Sequence, residues 1–143
     1  MSKLLFLFQL VFLGILLYFA DYSYIFGNTF TLIFLLGIAI LGFYSFFSLR
    51  LELFSPFAEP VENHRLVTEG AYRYVRHPMY AVYALTGILL LLSNTELKNA
   101  VAFVLLLFTL EITAGIEEKL LAEKDGRYRE YQKITKKFIP FIY

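Results

Sequence analysis

Two long apolar runs in the first third of the chain limit the folds that it can adopt. Residues 4–20 and 29–49 contain no Asp, Glu, Lys or Arg. As helices they would span roughly 26 Å and 32 Å, close to the hydrocarbon thickness of a bilayer. The chain as a whole is 59% hydrophobic, more than a soluble domain of 143 residues can readily hide from water. These features predict a protein that is embedded in a membrane.

The remainder of the chain contains two further apolar runs and a charged end. Residues 78–92 are apolar but short for a crossing, and residues 99–116 form a fourth run that is interrupted by Glu111. We read residues 93–98 as the turn of a helical hairpin and residues 21–28 as a turn between the first two spans. In the charged segment 117–137, we predict a helix that continues out of the fourth run and is interrupted at Asp125 and Gly126.

The predicted fold is therefore an all-α integral membrane protein with about four transmembrane helices. Two of them are full spans and two form the short hairpin, and a cytoplasmic C-terminal helix follows. We expect one domain over residues 1–143, made of helices one and two (1–50), a connector (51–79), the hairpin (80–116) and the C-terminal segment (117–143). A cleaved signal peptide is the alternative for the first run, but that run is long and lacks a good cleavage site.

Basic residues predict the orientation of these elements. They concentrate in the connector and the C-terminal segment, which places both on the cytoplasmic face. The connector contributes Arg50, Arg65, Arg73 and Arg76. Because the chain is short, we expect a multi-pass protein of a prokaryotic plasma membrane.

Composition excludes several classes of site. The chain has no cysteine and only two histidines, so neither a thiolate site nor a histidine-rich metal site is expected. The formal net charge of +1 gives no general attraction to nucleic acid. The expected partner is the lipid bilayer, and the sequence leaves protein partners open.

A dense polar cluster occurs where the connector meets the third apolar run. Pro78 suits the first position of a helix, which places His77 near its N-cap. The N–H groups of the first turn would then suit an anion such as a carboxylate, with Arg73 and Arg76 adding charge-assisted hydrogen bonds. Tyrosines in the cluster, Tyr72, Tyr74 and Tyr80, would supply flat walls with polar tips. The alternative is an interfacial anchor, since Arg and Tyr often gather at helix ends near headgroups.

Acidic residues follow the fourth run. Glu117 and Glu118 could attract an ammonium or sulfonium group, or could simply form a solvated helix face. Glu111 lies inside the run, where a charge needs a partner, and we expect it to pair with Arg50 or Arg73. The apolar tail, residues 138–143, is expected either to lie at the membrane surface or to cover the site.

Three motifs in order resemble those of a known family. Residues 64–80 read HRLVTEGAYRYVRHPMY, residues 117–121 read EEKLL, and residues 128–131 read YREY before a closing Ile139 and Pro140. This pattern is similar to that of isoprenylcysteine carboxyl methyltransferases and their small prokaryotic relatives, a group that extends to membrane phospholipid N-methyltransferases. The resemblance covers about residues 55–143, and the combination of RHPxY with EExxL is fairly specific.

The resemblance implies S-adenosyl-L-methionine as methyl donor and a lipid-like or small hydrophobic acceptor. The cofactor would be bound by His64, Arg65, Leu66, Val67, Tyr72, His77, Pro78, Met79, Tyr80 and Glu117. The implied catalytic residues are Arg76, His77 and Glu117. A carboxylate acceptor would need no base, whereas an amine would have to lose a proton, which a carboxylate or histidine could accept.

The sequence departs from the family pattern in ways that leave other functions open. Val82 occupies a position where relatives usually have glycine, and residues 112–116 lack the arginine that relatives link to the acceptor. The usual Phe-Gly after EExxL is also replaced, near residues 124–126. The alternatives are a phospholipid N-methyltransferase, a relative of the NADPH-dependent sterol reductases, and a non-catalytic membrane protein.

Overall fold

The structure, a computed structural model, describes residues 1–49 and 66–143. Within these ranges the chain is helical, and its only paired extended backbone is an isolated bridge between Val75 and Lys136. The α-helices are α1 (Ser2–Phe19), α2 (Tyr22–Gly27), α3 (Thr29–Ser48), α4 (Pro78–Ser93), α5 (Leu97–Lys124) and α6 (Arg127–Ile134). A 3₁₀ helix, Gly70–Arg73, precedes α4. The predicted all-α class is confirmed for the described residues.

Among the described residues, α1, α3 and α5 are long and apolar enough to cross a membrane, whereas α4 is a shorter apolar helix. Large apolar side chains on these helices point away from the protein, among them Phe30, Phe47 and Val104. Outward-facing apolar side chains suit a lipid environment. A helix of the 28 residues of α5 is roughly 42 Å long, which exceeds the hydrocarbon layer and supports its predicted continuation beyond the membrane. The predicted total of four crossings stays a prediction.

Loop contacts define the two ends of the helical bundle. At one end, the backbone N–H of Asp21 donates to Ser93 Oγ at 3.1 Å, and Asn94 Nδ2 donates to the carbonyl of Phe19 at 2.8 Å. At the other end, the backbone N–H of Ala71 donates to Ser48 Oγ at 3.1 Å. The start of α4, the end of α5 and α6 gather at this second end. The polar cluster and the C-terminal segment therefore share one face, and the predicted cytoplasmic identity of that face stays a prediction.

Two sequence-based expectations about the first end were wrong. Residues 21–28 are not a simple turn, because they contain α2. The Asp21 side chain caps this helix by accepting a hydrogen bond from the N–H of Tyr24 at 3.0 Å. Asn28 caps α3 in the same way. The second wrong expectation concerns the turn at residues 93–98, because α5 already begins at Leu97.

The structure pairs Glu111 with groups of the C-terminal tail and not with Arg73, one of its two predicted partners. Its carboxylate pairs with Lys137 Nζ, and the Tyr143 hydroxyl donates to it at 3.3 Å. The C-terminal tail folds back along α5 and brings these groups to the carboxylate. Arg73 lies elsewhere, exposed at the end of the 3₁₀ helix, and Arg50 falls outside the described residues.

Gly70, the first residue of the 3₁₀ helix before the polar cluster, has a backbone conformation that other residues rarely adopt. Its φ is +59°, and a Cβ atom there would collide with Ser48 Oγ. We expect Gly70→Ala to destabilise the protein by about 2 kcal/mol or more. Thermal unfolding in detergent measures this effect. Gly115→Ala is the control, because that helical glycine has open space around its Cβ position and should be neutral or slightly stabilising. Equal melting temperatures for Gly70→Ala and wild type would contradict the expectation.

Candidate functional site

The N-terminus of α4 is the structural centre of the polar cluster. Pro78 occupies the first turn and His77 is the N-cap residue, as predicted from the sequence. The His77 side chain makes no capping hydrogen bond, and no side chain in the described ranges accepts from the first-turn N–H groups of the helix. Such an end is suited to an anion.

His77 lies between two carboxylates and is almost completely buried. Its Nδ1 is 3.5 Å from Glu117 Oε2, and its Nε2 is 3.2 Å from Glu118 Oε1. The side chain of Glu117 is 30% exposed, whereas that of Glu118 is 15% exposed. The paired glutamates therefore form no solvated helix face, and Glu117 is the one that remains open to a ligand.

Glu118 also holds Arg76 in place. Arg76 Nε donates to Glu118 Oε1 at 2.7 Å, and Arg76 Nη1 donates to the carbonyls of Thr135 at 2.6 Å and Gln132 at 3.3 Å. The Gln132 side chain donates to the second oxygen of Glu118 at 3.2 Å. These contacts tie the start of α4 to α5 and α6. They give Arg76 a positioning role within the protein.

Burial and charge act in opposite directions on His77. Burial lowers the pKa of its imidazole, but hydrogen bonds and Coulomb attraction from Glu117 and Glu118 outweigh this and raise the pKa above its ordinary value. The pKa of the neighbouring Tyr72 is raised by burial first and by the Glu117 charge second. Tyr72 therefore stays a neutral hydroxyl near neutral pH.

The raised pKa of His77 predicts how stability depends on pH. The stabilisation from its protonated form is complete below the ordinary histidine pKa of about 6.5 and is lost as the pH rises through the higher folded-state pKa. Thermal unfolding in detergent across a pH series should show wild-type stability falling as the pH rises from about 6.5 through the folded-state pKa. His77→Gln should flatten this decline, and an unchanged slope in the variant would contradict the assignment.

Tyr80 adds a flat wall to the site. Its ring stacks on His77 with centroids 5.3 Å apart and an interplanar angle of 6°, and its hydroxyl donates to Glu117 Oε2 at 3.0 Å. Because Tyr80 follows Pro78 in the first turn of α4, this geometry is fixed by the start of the helix. The hydroxyl of Tyr80 therefore helps to orient the carboxylate of Glu117.

The C-terminal segment supports the cluster from behind. The buried Tyr131 of α6 donates its hydroxyl to the carbonyl of Tyr72. The backbone N–H groups of Arg76 and His77 donate to the carbonyls of Lys136 and Lys137 at 2.8 Å and 3.0 Å. The ring of Phe138 is 5.9 Å from that of His77. Of the two expectations for the tail, the one in which it covers the site agrees with these contacts.

Two cavities meet at Tyr80. The first, here called the polar cavity, has a volume of about 290 Å³ and is lined by Phe6, Gln9, Leu49, Tyr72, Arg76, His77, Met79, Tyr80, Tyr83 and Glu117. The second, here called the apolar cavity, has a volume of about 710 Å³. Besides Tyr80, its walls come from α3, α4, α5 and the tail, among them Leu41, Ala84, Phe103, Leu107, Phe138 and Pro140. A polar and an apolar compartment thus share one aromatic wall.

Comparison with known proteins identifies the family of this chain. The sequence profile of the isoprenylcysteine carboxyl methyltransferase family matches residues 25–123, which is more than half of the chain. The chain belongs to this family. No solved structure gives a significant match.

Two curated relatives cover about half of the chain. One is the cobalt-zinc-cadmium resistance protein CzcN of Cupriavidus metallidurans, 40% identical over 81 residues, which are 55% of this chain and 37% of the relative. The other is protein-S-isoprenylcysteine O-methyltransferase B of Arabidopsis thaliana, 36% identical over 84 residues, which are 57% of this chain and 42% of the relative. The matches thus span about two fifths of the relatives' lengths.

Most of the site residues predicted from the sequence can be located in the structure. The structure brings six of them together around the polar cavity, namely Tyr72, Arg76, His77, Met79, Tyr80 and Glu117. Three others lie apart from that cavity. Leu66 packs against the cluster of Leu121, Tyr128 and Tyr131, Val67 is half-buried beside it in sequence, and Pro78 lines the apolar cavity. His64 and Arg65 fall outside the described residues.

Sequence reasoning missed four residues that line the polar cavity. They are Phe6, Gln9, Leu49 and Tyr83. Phe6 and Gln9 belong to α1, which precedes the segment matched by the family profile. A single glutamine inside an otherwise apolar run was the one available signal. In the described ranges, no cluster of His, Asp and Glu could hold a metal ion.

Proposed function

We propose that the protein is a membrane methyltransferase that transfers a methyl group from S-adenosylmethionine to a lipophilic acceptor. The observation that carries this proposal is the junction at Tyr80, where a polar cavity with an open carboxylate meets a larger apolar cavity. A charged methyl donor and a lipid-like acceptor need two such compartments in contact. The family membership supports the same reaction class.

The groups around the polar cavity match the charges of the donor. The uncapped N-terminus of α4 suits its carboxylate, since the first-turn N–H groups there have no side-chain acceptor. The partly open carboxylate of Glu117 suits its ammonium or sulfonium group. Tyr72 and Tyr80 offer flat surfaces for an aromatic base. The donor supplies an electrophilic methyl group carried on positively charged sulfur.

The apolar cavity suits the acceptor. Its walls come almost wholly from aliphatic and aromatic side chains of α4, α5 and the tail. Methyl transfer is an in-line displacement, so the protein mainly has to align the two reactants and keep water away. Tyr80 and Phe138, which border the apolar cavity near His77, would perform both tasks.

An acceptor that must lose a proton would also find a base here. The carboxylate of Glu117 is partly open, and it already accepts the hydroxyl of Tyr80 at 3.0 Å. We therefore assign Glu117 to binding the donor and, for an amine acceptor, to receiving the proton. His77 and Arg76 would position the carboxylates around it. We place this site on the cytoplasmic face of a prokaryotic plasma membrane, following the distribution of basic residues.

The test is transfer of labelled methyl from S-adenosylmethionine. Purified protein in detergent would be incubated separately with a total lipid extract, a prenylcysteine analogue and an alkyl thiol, and the extracted products counted. Label should enter at least one acceptor pool and should disappear in Glu117→Gln. Glu123→Gln, an exposed position on the same helix, should keep the wild-type rate. No transfer to any pool by protein that binds the donor, or binding of NADPH in its place, would contradict the proposal.

A further inference from the structure

Gln9 is a buried amide within the apolar helix α1. It is 3% exposed, and its Nε2 donates to Thr113 Oγ1 at 2.8 Å and toward the carbonyl of Thr109 at 3.4 Å. Polar groups at membrane depth are costly and tend to mark functional sites. Part of the role of Gln9 is therefore to clamp α1 against α5.

The clamp accounts for only one end of the amide. Both hydrogen bonds to α5 use Nε2 as donor, so Oε1 takes no part in this contact. Gln9 also lines the polar cavity, together with Phe6 from the same helix. The anchored Nε2 fixes the direction of the amide, which leaves its carbonyl oxygen as the group to face the cavity.

The position of Gln9 along the bundle indicates what its carbonyl meets. Its partner Thr113 precedes Glu117 by one helical turn, which is about 6 Å along α5 toward the apolar middle of the helix. If Glu117 holds the donor's ammonium group, the next part of the donor in this direction is its sulfonium centre, a short aliphatic chain away. The apolar cavity, where the acceptor would bind, also opens beside this level of α4 and α5.

We propose that Gln9 Oε1 faces the sulfonium group of the bound donor and makes the site favour the donor over its demethylated product. This inference rests on the proposed function. The sulfonium carries a positive charge and polarises its methyl C–H bonds, whereas the product carries a neutral thioether. A fixed carbonyl dipole attracts the first and not the second, and it needs no reorganisation when the ligand arrives. Gln9 would thus be a donor-binding residue that lies outside the family-matched segment.

The experiment compares two ligands in matched variants. Calorimetric titration of purified protein in detergent gives the Kd of S-adenosylmethionine and of S-adenosylhomocysteine, and their ratio measures the preference. Gln9→Met removes the carbonyl at nearly constant volume, and Gln9→Asn keeps the amide but retracts it by one methylene. Leu16→Val trims the buried packing of α1 in the apolar core while leaving the Gln9 amide and its bond to Thr113 in place.

Both Gln9 variants should reduce the preference for the donor by about three- to fivefold. Leu16→Val should lower the melting temperature but leave the ratio unchanged. If the Gln9 variants weaken both ligands equally, Gln9 is a structural clamp only and the proposal fails. If neither ligand binds folded wild-type protein, the proposed function fails and this inference falls with it. The Asn variant keeps the test decisive where the Met variant does not fold.

Discussion

Glu117→Gln should weaken the binding of S-adenosylmethionine by about ten- to a hundredfold. The substitution keeps an oxygen that can accept the Tyr80 hydroxyl, but it removes the negative charge that faces the polar cavity. A hydrogen bond to a charged group contributes about 1.5–3 kcal/mol, which corresponds to this loss. His77 keeps its second carboxylate, Glu118, so the fold should survive. Isothermal titration calorimetry in detergent measures the change.

The control for this variant is Glu123→Gln. It makes the same change of charge and volume on α5, at an exposed position away from the cavity. It should bind the donor as wild type does, because screening by solvent leaves little effect of a distant surface charge. Equal affinity of Glu117→Gln and Glu123→Gln would remove Glu117 from the donor site.

Glu118→Ala should destabilise the protein by about 3–5 kcal/mol, the range observed when one partner of a buried ion pair is removed. Glu118 is 15% exposed and Arg76 is 12% exposed, so most of this pair is shielded from water. Its removal would strand the buried charge of Arg76 and would leave His77 Nε2 and the Gln132 side chain without their acceptor. An apparent Tm lower by on the order of 10 °C is the expected result.

A second substitution separates a lost ion pair from general damage. In the Glu118→Ala background, Arg76→Met removes the stranded charge, and it should recover part of the lost stability. Glu123→Ala serves as the exposed control, and its free energy of unfolding should lie within a few tenths of a kcal/mol of the wild-type value. A Glu118→Ala protein as stable as the Glu123→Ala control would show that the network does not hold the fold together.

Local rules predicted the features of the fold that depend on neighbouring residues. Pro78 lacks an N–H and has a fixed φ, and it starts α4 as expected, with His77 as the N-cap. Asp125 and Gly126 interrupt the last helices, so that α5 ends at Lys124 and α6 begins at Arg127. The uncharged runs correctly predicted the long helices. A run of apolar residues long enough to cross a bilayer can be recognised without knowing any tertiary contact.

Features that depend on distant residues could not be read in this way. The pairing of Glu111 with Lys137 requires the tail to fold back on α5, and no local pattern encodes that path. The capped helix α2 was missed because its signal, Asp21, looks the same in a turn. The place of Gln9 in the cavity wall depends on its pairing with Thr113, more than a hundred positions away in sequence.

The candidate site combines shared and peripheral parts of the chain. The family-matched residues 25–123 supply the start of α4 and Glu117, whereas α1 and the tail lie outside this range. Yet α1 contributes Gln9 to the polar cavity, and the tail contributes Phe138 to the apolar cavity.

Direct titration of S-adenosylmethionine into folded wild-type protein tests the central claim most directly. Saturable binding with one site per chain is predicted, and the affinity should fall in Glu117→Gln and stay unchanged in Glu123→Gln. Circular dichroism on the same sample would establish that the helices are formed. If neither S-adenosylmethionine nor its demethylated product gives a heat of binding with a sample shown to be folded, the account is contradicted.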